Sequence, residues 1–171
     1  MSFDRQPTLT GQLVQLRPLE AGDFAALYAV ASDPLIWEQH PASDRYQEPV
    51  FREFFREAME SGGAFAAIDL RDGRIIGSSR FHGYDVEKSE IEIGWTFLAR
   101  SHWGSRYNGE MKSLMLRHAF QFVDRVLFLV GPRNLRSQKA LEKLGAIRDT
   151  ARPDPTGRGN LVFHLTRAAH G

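Results

Sequence analysis

The chain has 171 residues, 42% hydrophobic and 25% charged, with 22 Lys and Arg against 21 Asp and Glu for a formal charge of +1. That composition excludes a disordered or fibrous chain, and without a Lys/Arg block there is no clear nucleic-acid footprint; the length suits one domain over residues 1–171 with a core of about 11–167. Cysteine is absent, which removes disulfides, thiolate metal sites and thiol nucleophiles, and with no secretory pattern or membrane-length apolar run the expectation is a cytoplasmic protein without membrane contact.

Leu13 to Leu19 alternates as a first strand, and Glu20 to Val30 follows as a helix with Phe24, Leu27 and Tyr28 on one side. Asp33-Pro34 opens a turn or short helix through Trp37. Glu48-Pro49 starts a clearer helix in which Phe51, Phe54, Phe55, Ala58 and Met59 recur at helical spacing until Ser61-Gly62-Gly63 stops it; its phenylalanines are assigned to the core. Ala64 to Leu70 and Arg74 to Phe81 flank Arg71-Asp72-Gly73, a strong hairpin signal. Ser89 to Leu98 continues the sheet. Arg106 to Val123 reads as an amphipathic helix burying Met111, Leu114, Met115, either His118 or Ala119, and Phe122. Val126 to Val130 is nearly continuous in apolar character, as expected of a central strand covered on both faces. Gly131-Pro132 breaks it, Asn134 to Leu144 forms the next helix with Gly145 as its C-cap, and Ala146 to Asp149 with Leu161 to Thr166 form a closing hairpin around an exposed loop.

The richest stretch is the β-branched strand Glu90 to Leu98, followed by a loop of small and polar residues and then a helix N-terminus. Such an arrangement brings several unpaired backbone N–H groups to one point, where a phosphate can dock, and it suggests a nucleotide-bearing cofactor. A metal is not expected, because the six histidines show no paired ligand spacing. Glu90 and Glu92 share one strand face by the period of two, so either is a candidate general base or simply a solvated carboxylate.

The order of elements, with the segments His102-Trp103-Gly104-Ser105-Arg106-Tyr107-Asn108-Gly109-Glu110 and Asn134 to Ala146, resembles the GNAT superfamily of acyl-coenzyme A-dependent N-acetyltransferases, nearest the RimJ/RimL branch. The resemblance covers Leu13 to Thr166. It implies a mixed, mostly antiparallel central sheet of six to seven strands with helices on both faces. It also implies acetyl-CoA as co-substrate and, as acceptor, a primary amine, either a protein N-terminus or a small molecule. One departure stands out: Ser101 occupies the position where the family's loop commonly has a basic residue or Gln, and Arg106 occupies its second small position. Arg106 can add charge to a diphosphate, or it can be a surface arginine on the first helical turn.

By resemblance, two parallel strands splay beyond a bulge, for which Gly94 is the natural site, and the pantetheine arm lies in the gap. Trp95, Thr96 and Phe97 would border that arm, while Trp103, Gly104, Ser105, Arg106, Tyr107, Asn108 and Gly109 would hold the diphosphate. Glu92, nearest the bulge, is the preferred base. Asn134 suits a helix N-cap and would also contact the pantetheine, and Ser137 would be the proton donor for the leaving thiolate. Trp37, Glu38, His40, Arg80 and His82 are candidates for the acceptor side. Two other readings stay open. One is a catalytically weak acyl-CoA-binding or regulatory module, motivated by Arg106 and by the lack of a tyrosine shortly after Ser137. The other is a protein-interaction module in which Trp103 and Tyr107 are exposed contacts. The oligomeric state is open, a symmetric homodimer being the commonest soluble arrangement.

Overall fold

A computed structural model describes residues 3–170. In chain order these form β1 (Leu9–Thr10), β2 (Val14–Pro18), α1 (Phe24–Ala31), α2 (Glu48–Ser61), β3 (Ala64–Asp69), β4 (Ile75–Asp85), β5 (Glu90–Leu98), α3 (Tyr107–Ala119), β6 (Arg125–Val130), α4 (Leu135–Lys143), β7 (Ile147–Arg148), β8 (Leu161–Thr166) and α5 (Arg167–His170). The strands make one sheet in the order β1-β2-β3-β4-β5-β6-β8-β7, antiparallel throughout except between β5 and β6. This is the mixed, mostly antiparallel sheet expected, with eight strands rather than six or seven. The excess comes from β1, a two-residue edge pairing too short to leave a period in the sequence.

Both faces of the sheet are covered. In β3, Phe65 and Ala67 point into a core shared with Met111, Met115 and Leu116 of α3, while Ala64 and Ala66 point into a second core with Leu27 of α1 and Phe51, Phe54 and Phe55 of α2. Strands buried on both sides lose the polar alternation of a half-exposed sheet, which is why β3 and β6 read as apolar runs.

Two boundaries differ from expectation. The helix expected from Glu20 begins as a tight turn at Ala21–Asp23, because the Asp23 carboxylate accepts the Glu20 amide at 2.8 Å and pairs with Arg17 at 2.8 Å. The α3 helix stops at Ala119, although Phe120 and Val123 remain buried. Met59 of α2 faces outward, so it does not join the core phenylalanines. Among the described residues, no helix is long and apolar enough to cross a membrane.

Candidate active site

Strands β5 and β6 pair only over Glu90–Arg125, Ile91–Val126 and Glu92–Leu127, and beyond that point they separate. On the other side of β5, Arg80 pairs with Gly94 and Ser78 with Phe97, so the single residue Ser79 faces both Trp95 and Thr96. The bulge therefore lies at Trp95-Thr96 rather than on Gly94. Trp95 carries it with a φ of 52°, a conformation rare for a bulky side chain and a mark of local strain. The extra residue reverses the alternation. Ile91 and Ile93 face the α3 core, yet beyond the bulge Phe97 joins the α1–α2 core and Leu98 the α3 core.

The reversal brings Glu92 and Trp95 to the same side of the sheet, with Gly94 between them. A Cβ on Gly94 would stand 3.0 Å from Glu92 Oε2, so the carboxylate folds over that glycine toward the bulge and needs the missing side chain. Glu92 is half-buried. That burial and the negative charge of Asp154 raise its pKa from the ordinary 4.5 to about 7, against an opposing pull from Arg80. Glu90 is engaged differently: Arg152 grips both of its oxygens, so it serves as half of a structural ion pair. The two carboxylates that sequence periodicity could not separate are thus separated by their partners.

On the opposite face, Lys112 of α3 donates to Thr96 Oγ1 at 2.5 Å, and Ser79 Oγ lies 2.8 Å from the same atom. Lys112 is buried without a carboxylate partner among the described residues, and burial lowers its pKa to about 7. An amphipathic-helix reading has no means of finding it, because it sits among apolar residues of α3.

The loop between β5 and α3 makes a short turn at Arg100–His102, passes through Gly104 at a φ of 69° and enters the helix at Arg106. The first α-helical bond of α3 runs from the Glu110 amide to the Arg106 carbonyl at 2.9 Å. The amides of Asn108 and Gly109 therefore precede the first helical donor and point out of the helix end. The Tyr107 amide lies 3.4 Å from Ser105 Oγ, and Ser105 Oγ donates to the His102 carbonyl at 2.6 Å. Arg106 is exposed. The loop is fastened from below by Asp69, a residue the sequence did not signal. Its buried carboxylate accepts from Arg71, from His102 Nε2 at 2.9 Å and from the Tyr107 hydroxyl at 3.2 Å. The Arg71 guanidinium, with His102 and Tyr107, holds that carboxyl well below the usual carboxylate range.

Tyr107 is consequently buried. Trp103 is half-buried, donating from Nε1 to the Leu98 carbonyl at 2.8 Å, with the Arg136 guanidinium 3.7 Å from its ring centroid. Neither is the exposed contact residue that an interaction module would need. Arg136, which sequence reasoning passed over, ties α4 to this loop and donates to the Ile36 carbonyl at 3.3 Å. Beside it, Asn134 caps α4 by accepting from the Ser137 amide at 3.4 Å, and Ser137 stands half-buried on the first turn.

The expected acceptor residues divide. Trp37 is a core residue, 2% exposed, with its indole N–H on the Ala31 carbonyl at 2.8 Å. His40 accepts the Ala42 amide at 2.9 Å on Nδ1, and burial together with Arg45 lowers its pKa to about 4, leaving it neutral. Glu38 is on the surface. Arg80 and His82, by contrast, line an open cleft of about 990 Å³ together with Trp95, Glu57 and Arg5. The Trp95 side chain therefore belongs to this cleft, while its backbone borders the gap between the strands.

A family model described as an acetyltransferase (GNAT) domain matches residues 14–147. Among solved structures, a protein from T. thermophilus described as an acetyltransferase is 29% identical, with a TM-score of 0.73 over 95% of this chain and 90% of that one. A GCN5-related N-acetyltransferase from Brucella melitensis superposes with a TM-score of 0.82 at 20% identity, covering 96% and 80% of the two chains. Mycobacterium smegmatis RimJ in complex with CoA-disulfide gives 0.68 at 21% identity, covering 95% and 88%. The match over most of the chain, on a sheet whose parallel pair parts beside a bulge and a helix N-terminus, means that this protein belongs to the GNAT acetyltransferases, enzymes that use acetyl-CoA.

Proposed function

We propose that the protein transfers an acetyl group to a primary amine, with Glu92 as general base. The observation that carries this reading is the Glu92 carboxylate: half-buried, without a hydrogen-bond or ion-pair partner among the described residues, folded toward the bulge where β5 and β6 part, and with a pKa near neutrality. A base with a pKa close to the working pH is both deprotonated often enough and basic enough to take a proton from an ammonium group.

The residues present suit acetyl-CoA. The first-turn amides of α3 and the exposed Arg106 side chain would hold the diphosphate, and the unpaired inner edge of β5 from Ile93 onward would receive the pantetheine. When bound there, the co-substrate supplies an acetyl group activated as a thioester. Glu92 accepts the proton that the acceptor ammonium must lose before the amine can attack, directly or through one water. Ser137, at the start of α4, is the candidate to return a proton to the departing sulfur. Trp95, Arg80 and His82 orient the acceptor in the cleft. The RimJ/RimL branch, with the RimJ fold among the similar structures, favours a protein N-terminus as the acceptor, with a small-molecule amine as the other candidate.

The test is turnover. Acetyl-CoA, an amine panel and a thiol-detecting reagent should give amine-dependent release of free coenzyme A, and acetyl-CoA alone should raise the melting temperature by stabilising the native state. Binding without turnover across the panel would leave the acyl-CoA-binding module as the better reading, and absence of binding would remove both.

A further inference from the structure

The cleft beside Glu92 contains a positive charge that no counter-charge contacts among the described residues. Arg80 of β4 is 4% exposed, and its guanidinium lies 4.3 Å from the Trp95 ring centroid and 5.5 Å from that of Phe54. Its Nε and Nη2 atoms are enclosed and make no hydrogen bond among the described residues, which leaves Nη1 as the nitrogen that faces the cleft Arg80 lines. Aromatic faces attract a cation but do not accept the directed N–H bonds that a guanidinium brings with it out of water. A second guanidinium, that of Arg45, sits 4.8 Å from the same Phe54 centroid and pushes against the first. Glu57 and Glu92 act on Arg80 only through space, without a bond, and Glu57 is exposed. Burial and Arg45 lower the Arg80 pKa to about 10, which still leaves it charged at neutral pH. A charge withdrawn from water without a contacting partner costs several kcal/mol, and a ligand anion offsets that cost where a protein group does not.

We infer that Arg80 receives a carboxylate of the acceptor, so that the amine acetylated here carries an acidic group close to its amino group. The inference rests on the acetyl-transfer reading and narrows it. The register sets the span: Arg80 pairs with Gly94 and His82 with Glu92, which makes Arg80 and Glu92 diagonal neighbours on adjacent strands, about 7–8 Å apart along the backbone. An amine at Glu92 and a carboxylate at Arg80 are then separated by a few bonds. That is the layout of a free amino acid and equally of an N-terminal Asp or Glu residue. Trp95 and His82, whose rings meet edge to face at 5.1 Å, line the same cleft as Arg80, and Arg5 adds a further cation to that lining.

The two sources are told apart by matched pairs: free amino acids against their α-amides, and short peptides beginning with Asp or Glu against those beginning with Asn or Gln. With saturating acetyl-CoA, the carboxylate member of at least one set is expected to show a kcat/KM higher by about tenfold or more, the discrimination that one charge-assisted hydrogen bond supplies. The set that shows it identifies the source. Arg80→Met should erase the ratio while acetyl-CoA still raises the melting temperature, and Arg80→Lys, which keeps the charge, should retain part of it. Equal kcat/KM for both members in the wild type overturns the inference while leaving acetyl transfer intact, and so does an undiminished ratio in a folded Arg80→Met. Transfer to no amine at all, with acetyl-CoA bound, overturns both.

Discussion

Replacing Glu92 by Gln keeps the size of the side chain and removes its capacity to hold a proton, and the structure sets two consequences of opposite sign. Because burial and Asp154 raise the Glu92 pKa to about 7, the carboxylate exchanges its proton at neutral pH, and losing a general base of this kind lowers kcat by about 10²–10⁴-fold. The wild-type kcat/KM profile should rise through a limb near pH 7 that the variant lacks. Stability moves the other way. The folded protein holds the Glu92 proton more tightly than the unfolded chain does, so wild-type stability falls as pH climbs from 4.5 to about 7, and above that the full cost of the buried charge is present, about 3 kcal/mol. Gln carries no charge and escapes that cost. Glu92→Gln should therefore melt higher than wild type at pH 8, by about 2–4 °C for each kcal/mol recovered, and no higher at pH 4. Coenzyme A release and melting curves across this pH range measure both effects. A variant that keeps wild-type kcat and the limb near pH 7 refutes Glu92 as the base, and one with no gain in melting temperature at pH 8 refutes the burial from which the pKa follows.

Three further perturbations test other parts of the site. Gly94→Ala places a methyl group 3.0 Å from Glu92 Oε2, so kcat should fall by about tenfold with little change in melting temperature; an unaffected kcat would mean that the carboxylate does not work from this position. Arg106→Ala should weaken acetyl-CoA binding in calorimetry, most at low salt and less as salt screens the exposed charge, and unchanged affinity would make Arg106 a surface residue. Lys112 has a folded pKa of about 7, below the ordinary 10.5, so wild-type stability should rise with pH across that window as the native state avoids a buried charge that the unfolded chain keeps. Lys112→Met should flatten that rise and be the more stable protein at pH 6 in urea unfolding; equal pH dependence in the two would show that Lys112 is solvated.

The periodicity of single segments carried most of the fold. The phenylalanines of α2, the Asp-Gly hairpin between β3 and β4, the apolar run of β6 and the Asn134 cap of α4 are local signals, each set by residues a few positions apart. The loop into α3 was legible for the same reason, since a helix N-terminus exposes amides whatever surrounds it. What the chain did not disclose were properties that depend on residues distant in sequence. Glu90 and Glu92 share a face by strand period, and it is Arg152, 62 positions from Glu90, that takes Glu90 into an ion pair and leaves Glu92 without one. The bulge sits on Trp95 rather than Gly94 because pairing with β4, not the intrinsic freedom of glycine, decides where an extra residue is accommodated. Trp37 packs into the core and Asp69 holds the loop into α3 through contacts between elements that no sequence window spans. Local chemistry determined which elements form and which end of α3 can attract an anion. Tertiary structure alone decided which charged groups are shielded and which have partners, because burial and ion pairing belong to neighbours in space.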